Sequence, residues 1–410
     1  MSKPVSDVLV IGASPAGAAL FYQLARFTNL SSIRLLDASD LGRTSLADGW
    51  SSQALQYGYV DTTCTLAQAR NWHRSASMVT NYALRHSDAG RMLVKCPKMA
   101  VAFGESNTQW LRERFETFKP HFPMLEWWER SDIAELEPHV VLSSEGGLRP
   151  EPMAAIGTTN QFTLVNTKAL VASLLDDAIN SYDKTVSLQG NTRVLHIEPH
   201  TVGYRVRTDK GDFLTRYLVG TAGLASLGLA QGLGLGADLA IEPMNTVEFR
   251  AHGMVRGRVL TAYTPDTPAT ILSAEPDMEA PGKMRIRITE AAKDQAPGRP
   301  VALDKDILNQ AQGLIPTLSL SHVSRVQPPF EPISYVLDSG TGQQLEEGIT
   351  VSDDGVRFHI QSSVHVTSCL SGAYLDLCAI QEKLGCSLDD VRLKAQLMTD
   401  PRTIYRGRAA

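Results

Sequence analysis

Near the start of the chain, the spacing of hydrophobic residues changes from that of a strand to that of a helix and back within forty residues. An almost uninterrupted apolar run over residues 7–11 is typical of a strand buried on both faces of a parallel sheet. It leads into a glycine-rich turn, and a helical stretch and a second apolar strand follow, ending at Asp37. The pattern predicts a strand, glycine turn, helix and strand over residues 7–37, and we expect the rest of the fold to be organised around this unit.

Apolar residues three or four positions apart predict further helices along the chain. The longest pattern opens at Thr65 and runs to about residue 86, and the last clear one covers about residues 371–384. Other helices are predicted over residues 106–118, from residue 131 to the stop at Pro138, over 168–182 and near 304–314.

Short alternating runs predict strands in two separate parts of the chain. Residues 185–223 contain four such runs, with a hairpin turn at Asp209-Lys210-Gly211, and the last run returns to the first sheet. Residues 241–290 are again rich in strands and predict a second sheet, and shorter strands are expected at 93–95, 99–103 and 356–361. The returning strand implies two interleaved domains. We predict a cofactor domain of residues 1–90, 157–235 and 345–400, a substrate domain of residues 91–156 and 236–344, and a tail of residues 401–410.

Composition narrows the class of protein. The 410 residues carry 39 lysines and arginines against 44 acidic residues, a net charge of −5, which gives no general attraction to nucleic acid. The five cysteines are scattered without a C-x-x-C pair, so we expect reduced thiols and no metal site.

The ends and apolar runs of the sequence bear on its location. The first strand begins at residue 7, which leaves no room for a signal peptide, and no apolar run reaches the 18 or so residues that a membrane span needs. We therefore expect a cytoplasmic protein whose membrane contact, if any, is peripheral at the inner membrane face.

The glycine turn, Gly12-Ala13-Ser14-Pro15-Ala16-Gly17, is a dinucleotide-binding turn with one substitution. Gly12 permits the tight turn and Gly17 lets the helix pack closely on the strand, while Ser14 replaces the middle glycine that faces a pyrophosphate. Pro15 fits the first helical turn, whose remaining free amides and dipole favour phosphate. An ordinary strand–helix–strand unit with a glycine turn is the alternative interpretation.

Further cofactor contacts are predicted on both sides of this turn. Asp37, 25 residues after Gly12, is placed to accept hydrogen bonds from a ribose. The small and polar loop 38–49 would cover the cofactor, unless it is only a solvated surface loop. The predicted cofactor residues are Gly12, Ser14, Pro15, Ala16, Gly17, Asp37, Ala38, Arg43, Thr44, Ser45, Val194 and Gly223, with Gly372 and Ala373 at the last helix.

Several segments, in shared order, resemble the FAD-dependent malate:quinone oxidoreductases. They are SSQALQYGYVDTTCT (51–65), the stretch 99–127 with its Phe-Gly-Glu turn, GTTNQFTLVNTKAL (157–170), SRVQPP (324–329) and TVSDDGV (350–356). The resemblance implies an α/β fold in which an FAD-binding Rossmann domain of the glutathione-reductase type is interleaved with a mixed-sheet substrate domain. It also implies hydride transfer from a small substrate to the flavin, with a quinone as a possible electron acceptor. The glycine turn, Asp37 and the returning strand predict that the FAD is held noncovalently.

The chain departs from the family at positions that bear on the substrate. The family carries a histidine where this chain has Gln56, which cannot act as a titrating base, and a His-Leu-Asp-Thr-Arg run where this chain has residues 274–283. The family's Ser-Pro-Gly-Ala segment is also changed, at residues 366–373. We therefore expect FAD binding but weak or no activity with malate.

The candidate chemistry rests on few residues. His365 and Gln56 are the candidate catalytic positions, although a structural role for the histidine is also open. Gly372 and Ala373 are predicted to open the last helix, so that its free amides face the reduced flavin. Lys283, Arg285 and Arg287 alternate with apolar residues and share one strand face, which either binds an anionic substrate or lies in solvent.

Three classes of function remain open on these residues. The first is an FAD dehydrogenase that passes electrons to a quinone. The second is a flavin oxidase or monooxygenase acting on an amine or hydroxy compound, with oxygen as acceptor. The third is an FAD-binding protein without catalysis.

Overall fold

The structure is a computed structural model that describes residues 4–41, 54–61, 64–86, 88–181, 184–263, 271–278, 280–291, 305–327, 334–343, 345, 349–360 and 366–398. The strands are β1 Val5–Ile11, β2 Ser32–Leu36, β3 Leu93–Lys95, β4 Lys98–Phe103, β5 Glu126–Glu129, β6 Met153–Gly157, β7 Phe162–Val165, β8 Thr185–Gln189, β9 Val194–His200, β10 Gly203–Thr208, β11 Gly211–Gly220, β12 Leu239–His252, β13 Val259–Tyr263, β14 Ile271–Pro276, β15 Lys283–Ala291, β16 Val323–Gln327, β17 Ser334–Asp338, β18 Ile349–Asp353 and β19 Val356–Ile360. The α-helices are α1 Pro15–Phe27, α2 Leu66–Leu84, α3 Ala89–Met92, α4 Glu105–Phe118, α5 Arg130–Leu136, α6 Thr167–Ile179, α7 Ala225–Gln231, α8 Lys305–Leu314, α9 Cys369–Leu384 and α10 Asp390–Leu397.

The first sheet is built around β1 and has the order β18-β19-β11-β1-β2-β8, with β9 and β10 extending it as an antiparallel meander from β11. β1 runs parallel to both β2 and β11, and Ile11 is in register with Leu36 and with Gly220. Because the carboxyl ends of parallel strands meet at one edge, the residues that follow these three strands lie together.

Helices cover one face of this sheet. The first core brings apolar residues of α1, α6 and α9 against residues of β1 and β2 such as Val8 and Ile33. Gln23 of α1 also donates through Nε2 to the carbonyl of Leu370 in α9 at 2.8 Å. The opposite face carries a smaller core that includes Leu9 of β1 and Phe358 of β19.

The second sheet has the order β16-β12-β15-β14-β13-β4-β6-β5, with β17 paired to β12. Its two faces serve different cores. Met99 and Val101 of β4 pack with residues of α8, whereas Ala100 and Ala102 pack into the core of the first domain. One face of the second sheet therefore looks toward the first domain, and a residue on that face stands at the junction of the two.

The sequence predicts the order and type of most of the long elements, but it misses the short strands β5, β6 and β7 and the helices α7 and α10. The hairpin is confirmed by the pairing of Thr208 with Gly211, and the returning strand by the pairing of β11 with β1. Strands of the first sheet come from residues 5–36, 185–220 and 349–360, and those of the second from residues 98–157 and 239–338, which is the predicted interleaving. The domain boundaries themselves stay a prediction.

Candidate cofactor and substrate site

The glycine turn lies at the carboxyl edge of the first sheet, packed against the end of β11. Gly12 has a φ of +103°, and a Cβ added there would stand 2.9 Å from the backbone of Thr221 and Ala222. A Cβ on Gly17 would stand 1.9 Å from the carbonyl oxygen of Gly12. Both glycines are therefore required by the contact between turn, helix and strand before any ligand is considered.

Ser14, in the middle of the turn sequence, is the N-cap of α1. Its backbone is extended, its Oγ accepts from the amide of Gly17 at 3.2 Å, and Pro15 occupies the first helical position. This capping explains why serine is accepted at the middle glycine position. The 13-residue helix that starts here directs the positive end of its dipole toward the turn.

Asp37 ties β2 to the glycine turn. Its Oδ2 accepts from the amide of Ala13 at 2.6 Å, and its Oδ1 accepts from the amide of Ser39 at 2.9 Å and from the Ser39 hydroxyl. The carboxylate thus stands beside the turn, at the same sheet edge, as the spacing from Gly12 predicts.

Thr221, directly after β11, is a site residue that sequence reasoning missed. Its Oγ1 lies 2.8 Å from the carbonyl oxygen of Gly12 and 3.0 Å from that of Ile11, and its amide donates to Ile11 at 2.7 Å. The threonine fixes the turn from the neighbouring strand. Its only signal in the sequence is its place between Gly220 and Gly223 at the end of the returning strand.

Lys98 opens β4 on the face that looks toward the first domain, and it is 4% exposed. Its Nζ donates to Oε1 of Gln56 at 2.5 Å and forms an ion pair with Asp61. The amide of Gln56 donates to Oγ1 of Thr367, just before α9, at 3.0 Å. One short segment, residues 54–61, therefore connects the second sheet to the start of the last long helix.

Segment 54–61 is held from several sides. Arg114 of α4 donates to the carbonyl oxygens of Gly58 at 3.1 Å, Asp61 at 2.5 Å and Cys64 at 2.8 Å. The hydroxyl of Tyr59 accepts from Nε2 of Gln161 at 2.9 Å, and burial raises the pKa of that hydroxyl well above its ordinary value. The segment is a fixed part of the domain junction.

The three predicted cations of β15 share one face, as alternation requires, because Met284, Ile286 and Ile288 fill the core behind them. Arg285 is 3% exposed, so the solvent alternative is wrong for it. It lies 3.5 Å from Asp277, 3.8 Å from Glu248 and 4.0 Å from Glu275.

Arg285 and Arg287 both have acidic partners within the protein. Arg287 donates through Nε and Nη2 to Glu248 at 3.2 and 3.0 Å, and Arg250 pairs with Asp277. Burial raises the pKa of Glu248, although Arg287 and Arg285 oppose that effect. Carboxylates of the same sheet thus balance the charges of these arginines.

Comparison with known proteins places this geometry in a family. A family model described as FAD dependent oxidoreductase matches residues 7–334, most of the chain. The chain belongs to the FAD-dependent oxidoreductases. It is also similar to a protein named probable malate:quinone oxidoreductase from Campylobacter jejuni, with 26% identity over 97% of this chain and 100% of that protein.

Solved structures agree on the fold. Glycine oxidase from Geobacillus kaustophilus aligns with a TM-score of 0.68 at 16% identity, covering 93% of this chain and 96% of that one. The L-alpha-glycerophosphate oxidase from Mycoplasma pneumoniae with FAD bound aligns with a TM-score of 0.66 at 15% identity, covering 92% and 95%. The predicted cofactor and fold class are confirmed: this is an FAD oxidoreductase of mixed α/β architecture.

The residues at the edge of the first sheet fit FAD. The turn from Gly12 to Gly17 offers backbone amides and a helix N-terminus for a pyrophosphate, and the Asp37 carboxylate offers acceptors for a ribose. Gly223, with a φ of +61°, follows β11 at the same edge, and Val194 opens β9 against the core that contains Leu9. The contacts of individual residues with FAD stay predictions.

One cofactor prediction needs correction. α9 begins at Cys369, so Gly372 and Ala373 are its fourth and fifth residues and lie beyond the free amides of its first turn. The helix starts earlier because Val366–Ser368 already forms a 3-10 turn that continues into it. Free amides near the flavin would come from residues before Gly372.

Other predicted positions lie outside the described residues, namely Arg43, Thr44, Ser45 and His365. Ala38, by contrast, is described and directly follows Asp37. No described helix is both long and apolar enough to cross a membrane. In the part of the chain that the structure describes, no group of three histidines, cysteines or acidic residues could hold a metal ion.

Proposed function

We propose that this FAD-dependent oxidoreductase removes a hydride from a carbon of a small anionic substrate and passes the electrons to a quinone. The observation that carries the proposal is a set of cations on the sheet face that looks toward the cofactor domain. Lys98 and Arg285 are buried there, and Arg250 and Arg287 are half-buried beside them. Buried cations at such a junction favour a ligand with a negative group. The names of the similar malate:quinone oxidoreductases support the same substrate class and acceptor.

The chain's own residues divide the work of such a reaction. FAD, when bound, supplies the acceptor for two electrons and a proton. The turn 12–17 and Asp37 would hold the cofactor's phosphates and ribose, and the second sheet would orient the substrate. A base must also take the proton of the substrate's hydroxyl or amino group, and His365 remains our candidate for that role.

Malate is a poor candidate among small anions. Gln56 is an amide that cannot accept a proton at neutral pH, and its Oε1 accepts from Lys98. A substrate that relies on a titrating side chain at position 56 would therefore react slowly. We expect a different hydroxy or amino acid to be the better substrate.

The test is an anaerobic panel of hydroxy acids, amino acids and their uncharged amides, read as bleaching of the flavin absorbance. We expect at least one acid to bleach the flavin faster than malate, and the amides to be inert. Malate as the fastest reductant would contradict the substrate proposal. If no compound bleaches bound FAD but dithionite does, the chain is a cofactor-binding protein.

The acceptor is tested with the enzyme reduced by that best acid. Reoxidation by a soluble ubiquinone analogue should be much faster than reoxidation by dissolved oxygen, with little peroxide formed. Fast oxygen reoxidation and stoichiometric peroxide would instead identify a flavin oxidase. Use of a quinone would also fit peripheral contact with the inner membrane face.

A further inference from the structure

We propose that Lys98 binds the anionic group of the substrate, with Gln56 and Asp61 holding its ammonium in place. The inference rests on the proposed function and deepens it, because it names the cation that selects the substrate. Lys98 is 4% exposed, and Gln56 and Asp61 are its side-chain partners among the described residues. An ammonium has three donors, so one remains for a ligand.

The position of Lys98 at the domain junction favours it over the arginines. Its partners belong to segment 54–61, and Gln56 connects that segment to Thr367 at the start of α9. Lys98 therefore links the second sheet to segment 54–61, and through Gln56 to the turn that precedes the last long helix. A substrate held there would contact both domains.

Distance separates Lys98 from the arginine cluster. Paired residues on this face of the second sheet run from Ala100 of β4 through Thr261 of β13 and Ser273 of β14 to Arg287 of β15. Lys98 lies on the same face of β4, two residues before Ala100. Three strand spacings across the sheet amount to about 14 Å. A small substrate could therefore place its anionic group at one location or the other, but not at both.

The nearby acidic residues also favour Lys98 over the three arginines as the position that binds an anion. Arg250, Arg285 and Arg287 face Glu248, Glu275 and Asp277, which belong to the same rigid sheet. A substrate carboxylate near them would meet three fixed carboxylates of its own sign. At Lys98 the one ion-pair partner among the described residues is Asp61, which lies on the neighbouring segment 54–61.

The experiment uses FAD-loaded enzyme and malonate as a probe anion, with malonamide as its neutral counterpart. Binding is read both as a perturbation of the flavin spectrum and as a rise in melting temperature, so that neither turnover nor a known substrate is needed. We expect malonate to bind the wild-type enzyme.

Lys98→Met should raise the Kd for malonate by about tenfold to a hundredfold, the range for a lost hydrogen bond to a charged group. Lys98→Arg should keep most of the affinity.

Asp61→Asn separates binding from mere support of the fold. Removing the competing carboxylate leaves the cation in place, so malonate should bind about threefold or more tightly to this variant. If the pair served only to hold segment 54–61, both Lys98→Met and Asp61→Asn would weaken binding. Lys210→Met, at the exposed hairpin turn, is the matched control and should change nothing.

Three results would overturn the proposal: no malonate binding by the wild-type enzyme, an unchanged malonate Kd in Lys98→Met, or loss of bound FAD in Lys98→Met with malonate affinity kept. The last would assign the lysine to the cofactor. The proposed function fails separately, since malonate could bind through Lys98 in a protein whose flavin no acid bleaches.

Discussion

Single residues show where local chemistry decides the site. The close approach of Gly17 to Gly12 and the position of Asp37 beside the turn arise within residues 12–37, and the spacing of these residues in the sequence predicts both. The partners of Arg285 and Lys98 could not be predicted in the same way. Glu248 and Asp61 lie on segments that only tertiary packing brings near these cations. Alternation along a strand predicts which face of the sheet a side chain lies on, but it does not predict which residue that side chain will contact.

Glu137 is a residue whose charge state couples to stability. It is fully buried at the end of α5, where Oε2 accepts from the amide of Arg256 at 2.7 Å and Oε1 has no hydrogen-bond partner among the described residues. Burial raises the pKa of Glu137 from 4.5 to about 7. The native state thus keeps a proton that the unfolded chain has already released.

We predict that the free energy of unfolding falls as the pH rises from 4.5 to 7 and then levels off. Between these values the native state binds more protons than the unfolded state, so raising the pH favours unfolding. Each tenfold difference in proton affinity is worth about 1.4 kcal/mol, which sets an upper limit of about 3 kcal/mol for this group. Glu137→Gln cannot ionise, so at pH 8 it should be more stable than the wild type by about 1 to 3 kcal/mol.

Urea denaturation at pH 5 and at pH 8 measures this difference. The exposed Glu135, two residues earlier, supplies the control, and Glu135→Gln should stay within about 0.5 kcal/mol of the wild type at both pH values. A Glu137→Gln variant that is less stable than the wild type at pH 8 would show that the ionised carboxylate is needed there.

At the scale of elements, the docking of α9 on the first sheet depends on one buried carboxylate. Asp376 is 3% exposed and accepts from Nε of Arg357 at 3.0 Å, while its other oxygen lies 2.7 Å from Nε2 of His359. Both partners belong to β19. The helix is therefore fixed to the sheet by charge as well as by its apolar face.

We predict that Asp376→Asn lowers the free energy of unfolding by about 3 kcal/mol, because it removes one partner of a buried charged network. Asp354→Asn is the matched control at the other end of the helix, where Asp354 pairs with Lys383 in solvent, 77% and 42% exposed. That change should be worth less than about 1 kcal/mol. Equal effects of the two substitutions in denaturation would contradict this account of helix docking.

The start of α9 also shows why element boundaries are harder to predict than elements. Periodicity locates the helix and its end at Leu384, and Gly385 follows in the left-handed conformation typical of a C-cap. Its beginning was predicted two residues late because a 3-10 turn precedes it, and that turn leaves no periodic signal in the sequence. Two residues are enough to move Gly372 and Ala373 away from the free amides.

At the scale of the whole molecule, the predicted cofactor site brings together parts of the chain that are far apart in sequence. The turn after β1, Asp37 after β2 and Gly223 after β11 meet at one edge because β1 is parallel to both of its neighbours. The sequence predicts this interleaving from residues 215–223, an apolar run that ends in small residues and that we interpret as a strand returning to the first sheet. The pairing of β4 with β13, whose partners are 161 residues apart, has no comparable local signal.

We predict that removing FAD lowers the stability of the whole chain. A ligand that binds only the native state stabilises it by an amount that grows with its concentration, about 2.7 kcal/mol at one hundred times its Kd. The melting temperature of apoprotein should therefore rise steadily as FAD is added back.

Gly12→Ala should abolish this response, because its Cβ would stand 2.9 Å from the backbone of Thr221 at a φ of +103°. Gly228→Ala, in α7 with no atom within 4 Å of the added Cβ, should respond to FAD as the wild type does. A Gly12→Ala protein that still gained stability with FAD would show that the turn does not set cofactor binding, and the cofactor would have to be held elsewhere.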